Sequence, residues 1–246
     1  MKTTSVVDQS YWDSSYSELE FAITPKTDEL RIWLENNVEP GKGKTCLEIG
    51  CFPGRYLAVI GEMGYELHGV DLTQRVGEIK NWLDGRGYKT GEFEHADFLK
   101  YSNNKQYDLV CSFGFIEHFT NWEEVLLRHT DFVKVGGTLL IETPNFRGTL
   151  QNILHRTLDQ TNYKRHYIPA MQPEKWKSIL EQKGFEIQRC EYFGKFEFWS
   201  DSGKRSVLGK FGMKILSFFG NWLRNRKPGS PSISPYCGII AVKKGL

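Results

Sequence analysis

A chain of 246 residues with 39% apolar, 25% charged and 14% aromatic side chains is long enough to bury one sizeable core and short for two, and its composition is neither fibrous nor disordered. The net charge of +2 points to no particular partner, the polar residues 1–10 hold no signal-peptide core, and no apolar run approaches membrane-spanning length, so a cytoplasmic protein is expected. The five cysteines (Cys46, Cys51, Cys111, Cys190, Cys237) are odd in number with no CxxC spacing, which predicts reduced thiols and no metal site.

Residues 10–38 read as a helical entry segment, with Tyr11, Trp12 and Tyr16 near its start, ending before Pro40-Gly41. Short apolar runs then alternate with helix-length segments: Thr45 to Ile49, Glu66 to Val70, Gly91 to His95, Tyr107 to Ser112 and Thr138 to Glu142. That alternation predicts a parallel sheet with crossover helices. Asn121 is the predicted N-cap of a helix over Trp122 to Val133 that stops at Gly136-Gly137; Pro173 opens another, closed by Gly184. Phe185 to Phe193 and Tyr236 to Val242 read as two final strands.

The most informative stretch is Cys46 to Asp71. An apolar run breaks into Gly50-Cys51-Phe52-Pro53-Gly54, a helical run follows, and a second strand ends on Asp71. Glycines let backbone approach a ligand at a helix N-terminus, and an acid closing the next strand suits ribose hydroxyls. Dinucleotides and S-adenosylmethionine both use this layout. Glu48 separates them, since a carboxylate there repels a pyrophosphate and attracts a cationic ligand, and the glycine spacing is wrong for GxGxxG.

Glu48-x-Gly50-x-x-x-Gly54 followed by Asp71 resembles the cofactor loop of class I S-adenosylmethionine-dependent methyltransferases, with Phe52 where that family commonly has glycine. Tyr107 to Phe119 resembles the family's fourth strand and loop, and Gly136 to Asn145 resembles the fifth strand of the branch that methylates quinone precursors. The resemblance implies an α/β, Rossmann-like, seven-stranded, mostly parallel sheet with helices on both faces and the last strand antiparallel. It implies S-adenosyl-L-methionine as cofactor, S-adenosyl-L-homocysteine as product, and a small-molecule or lipid-linked acceptor methylated at oxygen. The implied cofactor residues are Tyr11, Glu48, Gly50, Cys51, Phe52, Gly54, Tyr56, Asp71, Leu72, Asp97, Phe98, Ser112, Phe113, Gly114 and His118. Residues 1–40 are expected as a helical cap of the same domain, and 41–246 as the methyltransferase domain. A silent scaffold that binds cofactor without turnover and an NAD(P)-dependent oxidoreductase are the alternatives.

Methyl transfer needs alignment and a dry site, plus a base where the acceptor carries a proton. His118 is the first candidate, facing the reactive end of the cofactor, and His166 the second; a structural role in ordering the loop is the competing reading for His118. Tyr11, Trp12 and Tyr16 read equally as a lid or as packing. No Asp or Glu follows Asp201, and a basic, amphipathic insertion is expected at about 200–230. Its residues 204–227 read as packing, a homodimer contact, or a surface for anionic lipid or membrane. With no RNA-binding module present, nucleic acid is not an expected partner.

Overall fold

The computed structural model describes residues 4–200, 214, 218, 220–226 and 228–245. Its strands are β1 (Thr45–Ile49), β2 (Glu66–Asp71), β3 (Thr90–His95), β4 (Tyr107–Phe113), β5 (Val133–Pro144), β6 (Phe185–Phe193) and β7 (Tyr236–Lys243). They form one sheet in the order β3-β2-β1-β4-β5-β7-β6. The first five are parallel, and β7 runs antiparallel to both β5 and β6, which is the predicted fold. The order reverses at β1, so the crevice above β1 and β4 is the topological switch point where open α/β sheets bind ligands.

Alternation along the strands feeds two cores. Leu47, Ile49, Val110, Leu139 and Ile141 face one side, where α5 (Trp122–His129) and α8 (Pro173–Gln182) contribute Val125, Leu126, Trp176 and Leu180. Cys46, Leu109, Cys111 and Leu140 face the other, under α2 (Glu29–Asn37), α3 (Arg55–Glu62) and α4 (Val76–Gly85). Between α5 and α8 in the chain lie α6 (Thr149–Leu158) and α7 (Gln160–Lys164). All five cysteines are free thiols.

Two local expectations give way and a third holds in position only. The entry segment is two helices, α1 (Gln9–Ser15) and α2, joined by extended chain, because Pro25 holds Thr24 out of the helical region and Asp28 starts α2 afresh by accepting from the Arg31 amide at 2.8 Å. Asn121 is the N-cap residue, its carbonyl accepting from the Glu124 and Val125 amides at 3.0 and 3.2 Å, but its side chain makes no capping bond: Nδ2 donates to Glu124 Oε2 at 2.7 Å, and Oδ1, the atom a cap uses, meets no donor. The helix ends at His129 and β5 begins at Val133, placing Gly136-Gly137 inside a strand. There Gly136, at φ +77°, accompanies a register shift against β4 between Tyr107 and Leu109. Most of the expected insertion at about 200–230 lies outside the described residues. Within it, Phe218 and Trp222 are exposed, and Arg226 lies 4.0 Å from the Trp222 ring centre.

Candidate active site

The glycine loop is built by two left-handed residues. Gly50 (φ +69°) turns the chain off β1, and Gly54 (φ +77°) opens α3. A methyl on Gly50 would lie 2.4 Å from the Phe115 ring, and one on Gly54 2.6 Å from Ile79, so both positions exclude a side chain by space as well as by conformation. The Gly50 and Cys51 amides donate to the Val70 carbonyl at 2.9 and 3.3 Å, stitching the loop to β2. Phe52, the residue departing from the family's glycine, is buried against Tyr16 (ring centres 4.8 Å) and Phe21 (5.7 Å), with the Arg75 guanidinium 5.2 Å away. It anchors the N-terminal segment over the loop.

Asp71 ends β2 with its carboxylate already engaged: Oδ2 accepts from the Phe52 amide at 2.9 Å and Oδ1 from the Thr73 amide at 2.8 Å. Burial nevertheless raises its pKa, those amide bonds pulling the other way. Asp97, just past β3, accepts from the Leu99 amide at 3.1 Å and pairs with Lys100 at 2.9 Å. Leu72 is exposed, its carbonyl held by His95 at 2.9 Å. Phe98 is buried, its ring 4.9 Å from His129 and 5.8 Å from Phe115. Ser112 turns its hydroxyl away into the core, 3.1 Å from His129 Nε2, so its side chain is not available to the rim.

Deeper in the crevice the acids are of another kind. Glu48 is buried and its Oε2 has no hydrogen-bond partner. Burial, and after it the charge of Asp71, push its carboxyl well above the ordinary range, with Arg55 opposing. Glu142, near the end of β5, is likewise buried with Oε1 unpartnered; burial and then Glu117 raise its pKa, again against Arg55. Arg55 therefore lies electrostatically between two buried carboxylates, its guanidinium 4.9 Å from the Tyr56 ring centre. Tyr56 in turn meets Phe113 at 5.1 Å.

The loop after β4 turns at Gly114 (φ +60°) into a 3-10 turn, Ile116–His118. Both oxygens of Glu117 are buried without a partner beyond the residue's own amide, and burial pushes its carboxyl up to about 8. His118 Nδ1 donates to the Arg165 carbonyl at 2.8 Å, and its Nε2 lies 3.9 Å from Glu117 Oε1. Burial pushes the imidazole down to about 4, the Arg165 bond opposing. The His166 ring is 4.8 Å from that of His118, with its Nδ1 on the Asn162 carbonyl at 2.7 Å. Helix α1 packs on this turn: Trp12 meets His118 at 5.0 Å, Tyr16, just after the helix, reaches Phe52, and Arg165 lies 4.2 Å from the Tyr11 ring centre.

Glu48 and Gly50, Asp71, Asp97 and Gly114 thus fall at or just past the C-terminal ends of β1 to β4, the Ser112 side chain turns away, and the two candidate histidines, 48 positions apart, are ring neighbours. Sequence reasoning missed Arg55, Phe115, Glu117 and Glu142 as site residues. Two carried a readable signal: a carboxylate closing the apolar run Leu139-Leu140-Ile141, and a cation in the first turn of α3, where the helix dipole disfavours it.

Known proteins place this architecture. The chain is similar to a ubiquinone biosynthesis O-methyltransferase of Leptothrix cholodnii (25% identity over 145 residues, 57% of this chain and 60% of that protein). It is also similar to "Probable (S)-tetrahydroprotoberberine N-methyltransferase 2" of Papaver bracteatum (22% over 139 residues, 55% and 35%). The chain spans less than two thirds of the length of either relative. Its fold matches that of a SAM-dependent methyltransferase from Archaeoglobus fulgidus, with a TM-score of 0.56 and 24% identity, covering 87% of this chain and 93% of the other. The methyltransferase domain model matches residues 27–189, two-thirds of the sequence, and the chain belongs to that family.

Proposed function

We propose that the protein transfers a methyl group from S-adenosylmethionine to an oxygen of a small-molecule or lipid-linked acceptor. The observation that carries the donor half is Glu48: a buried carboxylate with an unpartnered oxygen, beside a glycine loop that keeps side chains out. Such a group costs free energy until a cation or a donor meets it. The residues present fit the cofactor. Glu48 would meet its cationic amino-acid end, Gly50 and Gly54 would let backbone approach it, Asp71 and Asp97 would address ribose and adenine, and Tyr11, Cys51, Tyr56, Leu72, Phe98, Phe113 and Gly114 would line the cleft.

When bound, the cofactor supplies an electrophilic methyl carbon on a sulfonium. The chain's own part is to bind, align and exclude water. Helix α1, in a cap we assign to residues 1–40, closes the mouth with Trp12 over His118 and Tyr16 over Phe52. His118, backed by His166, acts on the acceptor's proton: in both rings Nδ1 faces a carbonyl, which only accepts, so Nδ1 carries the hydrogen and Nε2 offers a lone pair. Oxygen as acceptor is supported by the name of the Leptothrix relative and by this lone pair, which an amine acceptor needs less. A lipid-linked acceptor would suit the exposed Phe218 and Trp222. Five free thiols suit a cytoplasmic setting, and no helix among the described residues is long and apolar enough to cross a membrane.

The test is methyl transfer from labelled S-adenosylmethionine to phenolic and amine panels, with products read by mass. Methylated phenols support the oxygen assignment, and methylated amines alone overturn it. His118→Ala should cut turnover at least about 100-fold and leave cofactor affinity within twofold; unaltered turnover removes His118 from the mechanism.

A further inference from the structure

Glu117, His118 and His166 offer one carboxylate oxygen and two imidazole nitrogens that all lie within 4.8 Å of one another. The cysteine spacing that spoke against a metal site has no bearing on them. Two further observations point inward. Both Glu117 oxygens are fully buried with no hydrogen-bond partner beyond their own amide, the nearest donor being His118 Nε2 at 3.9 Å from Oε1. Each histidine has its Nδ1 hydrogen fixed on a carbonyl, of Arg165 and of Asn162, which turns Nε2 toward a ligand, with the Gly114 carbonyl also close to the His118 ring. Anchoring one ring nitrogen on a backbone carbonyl is how metal-ligating histidines are oriented.

We propose that Glu117, His118 and His166 form a divalent transition-metal site on the acceptor side of the crevice. Bonds of about 2.0–2.2 Å in a tetrahedral set bring donors to about 3.3–3.6 Å apart, so side-chain movements totalling at most about 1.5 Å close the cluster from its present spacing. Two imidazoles with a single carboxylate suit zinc, cobalt or iron(II) rather than magnesium, which takes oxygen ligands and keeps its waters. Three protein ligands leave at least one coordination position open, the pattern of a catalytic site. His166 is only half-buried, which gives the ion a way in.

Resting on the proposed methyl transfer, this deepens it. On this site the two Nε2 lone pairs would be given to the ion instead of to the acceptor's proton: an acceptor hydroxyl taken as the fourth ligand would have its pKa lowered by the ion and would release its proton to water. The oxygen left behind supplies the electron pair for its new bond to the methyl carbon, and the pair of the broken carbon–sulfur bond stays on sulfur.

The test uses the full chain, stripped with a chelator and titrated with Co2+, reading the visible d–d bands, then competed with Zn2+. One equivalent of Co2+ displaced by Zn2+ is expected, with Glu117→Gln and His166→Ala each weakening binding at least tenfold. Calorimetry with S-adenosylmethionine on the same samples should give affinities within twofold of wild type, reporting that the variants are folded. It also separates the two readings: Co2+ binding without S-adenosylmethionine binding would sink the transfer and leave the site standing. His166→Ala, at the half-buried position, is decisive if Glu117→Gln does not fold. No d–d bands in wild type, a thiolate charge-transfer band placing the ion on cysteine, or binding unchanged in His166→Ala would overturn the site.

Discussion

Asp71 and Asp97, above β2 and β3, give their oxygens to main-chain amides and Lys100, whereas Glu48, Glu117 and Glu142, around β1, β4 and β5, each keep a buried oxygen that meets nothing. The short acids act first as braces: Asp71 ties the glycine loop to the turn after β2, and Asp97 caps its own turn. The longer acids reach into the crevice and carry a desolvation cost that is offset only in part, by Arg55 for both Glu48 and Glu142 and by the backbone at Leu57 and Gly114 respectively. One half of the rim is scaffold that can also touch ligand; the other half is held ready for charge arriving from outside.

That contrast can be broken by experiment. The largest effect is expected from Gly50→Ala, which forces a side chain into a left-handed position 2.4 Å from the Phe115 ring. Denaturant unfolding should show a loss of about 3 kcal/mol, with cofactor binding abolished; wild-type stability would mean that the loop can move aside.

A comparable effect belongs to pH and tests the scaffold beneath the rim. His129 is buried, with Nδ1 on the Val125 carbonyl at 2.7 Å and Nε2 on Ser112, and burial pushes it down to about 4 from an ordinary 6.5. The unfolded chain therefore takes up this proton before the folded one. The stability His129 contributes is whole above pH 6.5 and is lost as pH falls toward 4, about 3 kcal/mol in all. His118 and His166 move in the same direction, so the readout is the difference between wild type and His129→Gln: the variant should lose less over that window. Parallel curves would contradict it.

The smallest effect is expected from Asp71→Ala, which frees the amides of Phe52 and Thr73 and should cost about 2 kcal/mol in a thermal or denaturant melt. Unchanged stability would show that Asp71 is no brace and would erase the distinction between the two halves of the rim.

Much of this was legible in the residues. The strands follow from apolar runs bounded by glycine and acid, and β1 from Thr45 to Ile49 is read to the residue, because alternating burial on two cores leaves one register. The start of β5 was not legible: Gly136-Gly137 has the look of a helix end, and only the pairing with β4 shows it to be a strand irregularity. Asn121 takes the cap position as read although its Oδ1 meets no amide, and the entry segment misled because Pro25 outweighs the apolar periodicity around it. Within the site, Glu48, Gly50 and Asp71 are adjacent through one strand-turn-helix-strand unit and so can be read locally. Glu117 and His166 meet only through the fold, by the Tyr167 amide donating to the Glu117 carbonyl at 2.7 Å, and no spacing rule announces them.

Calorimetry with S-adenosylmethionine on wild type and Glu48→Gln tests the central claim most directly. Wild type should bind saturably. Glu48→Gln, with its melting temperature kept or raised, should bind about 100-fold more weakly, as loss of a buried charge-assisted contact requires. Equal affinity in the two proteins, or a nicotinamide dinucleotide binding where S-adenosylmethionine does not, would contradict the account.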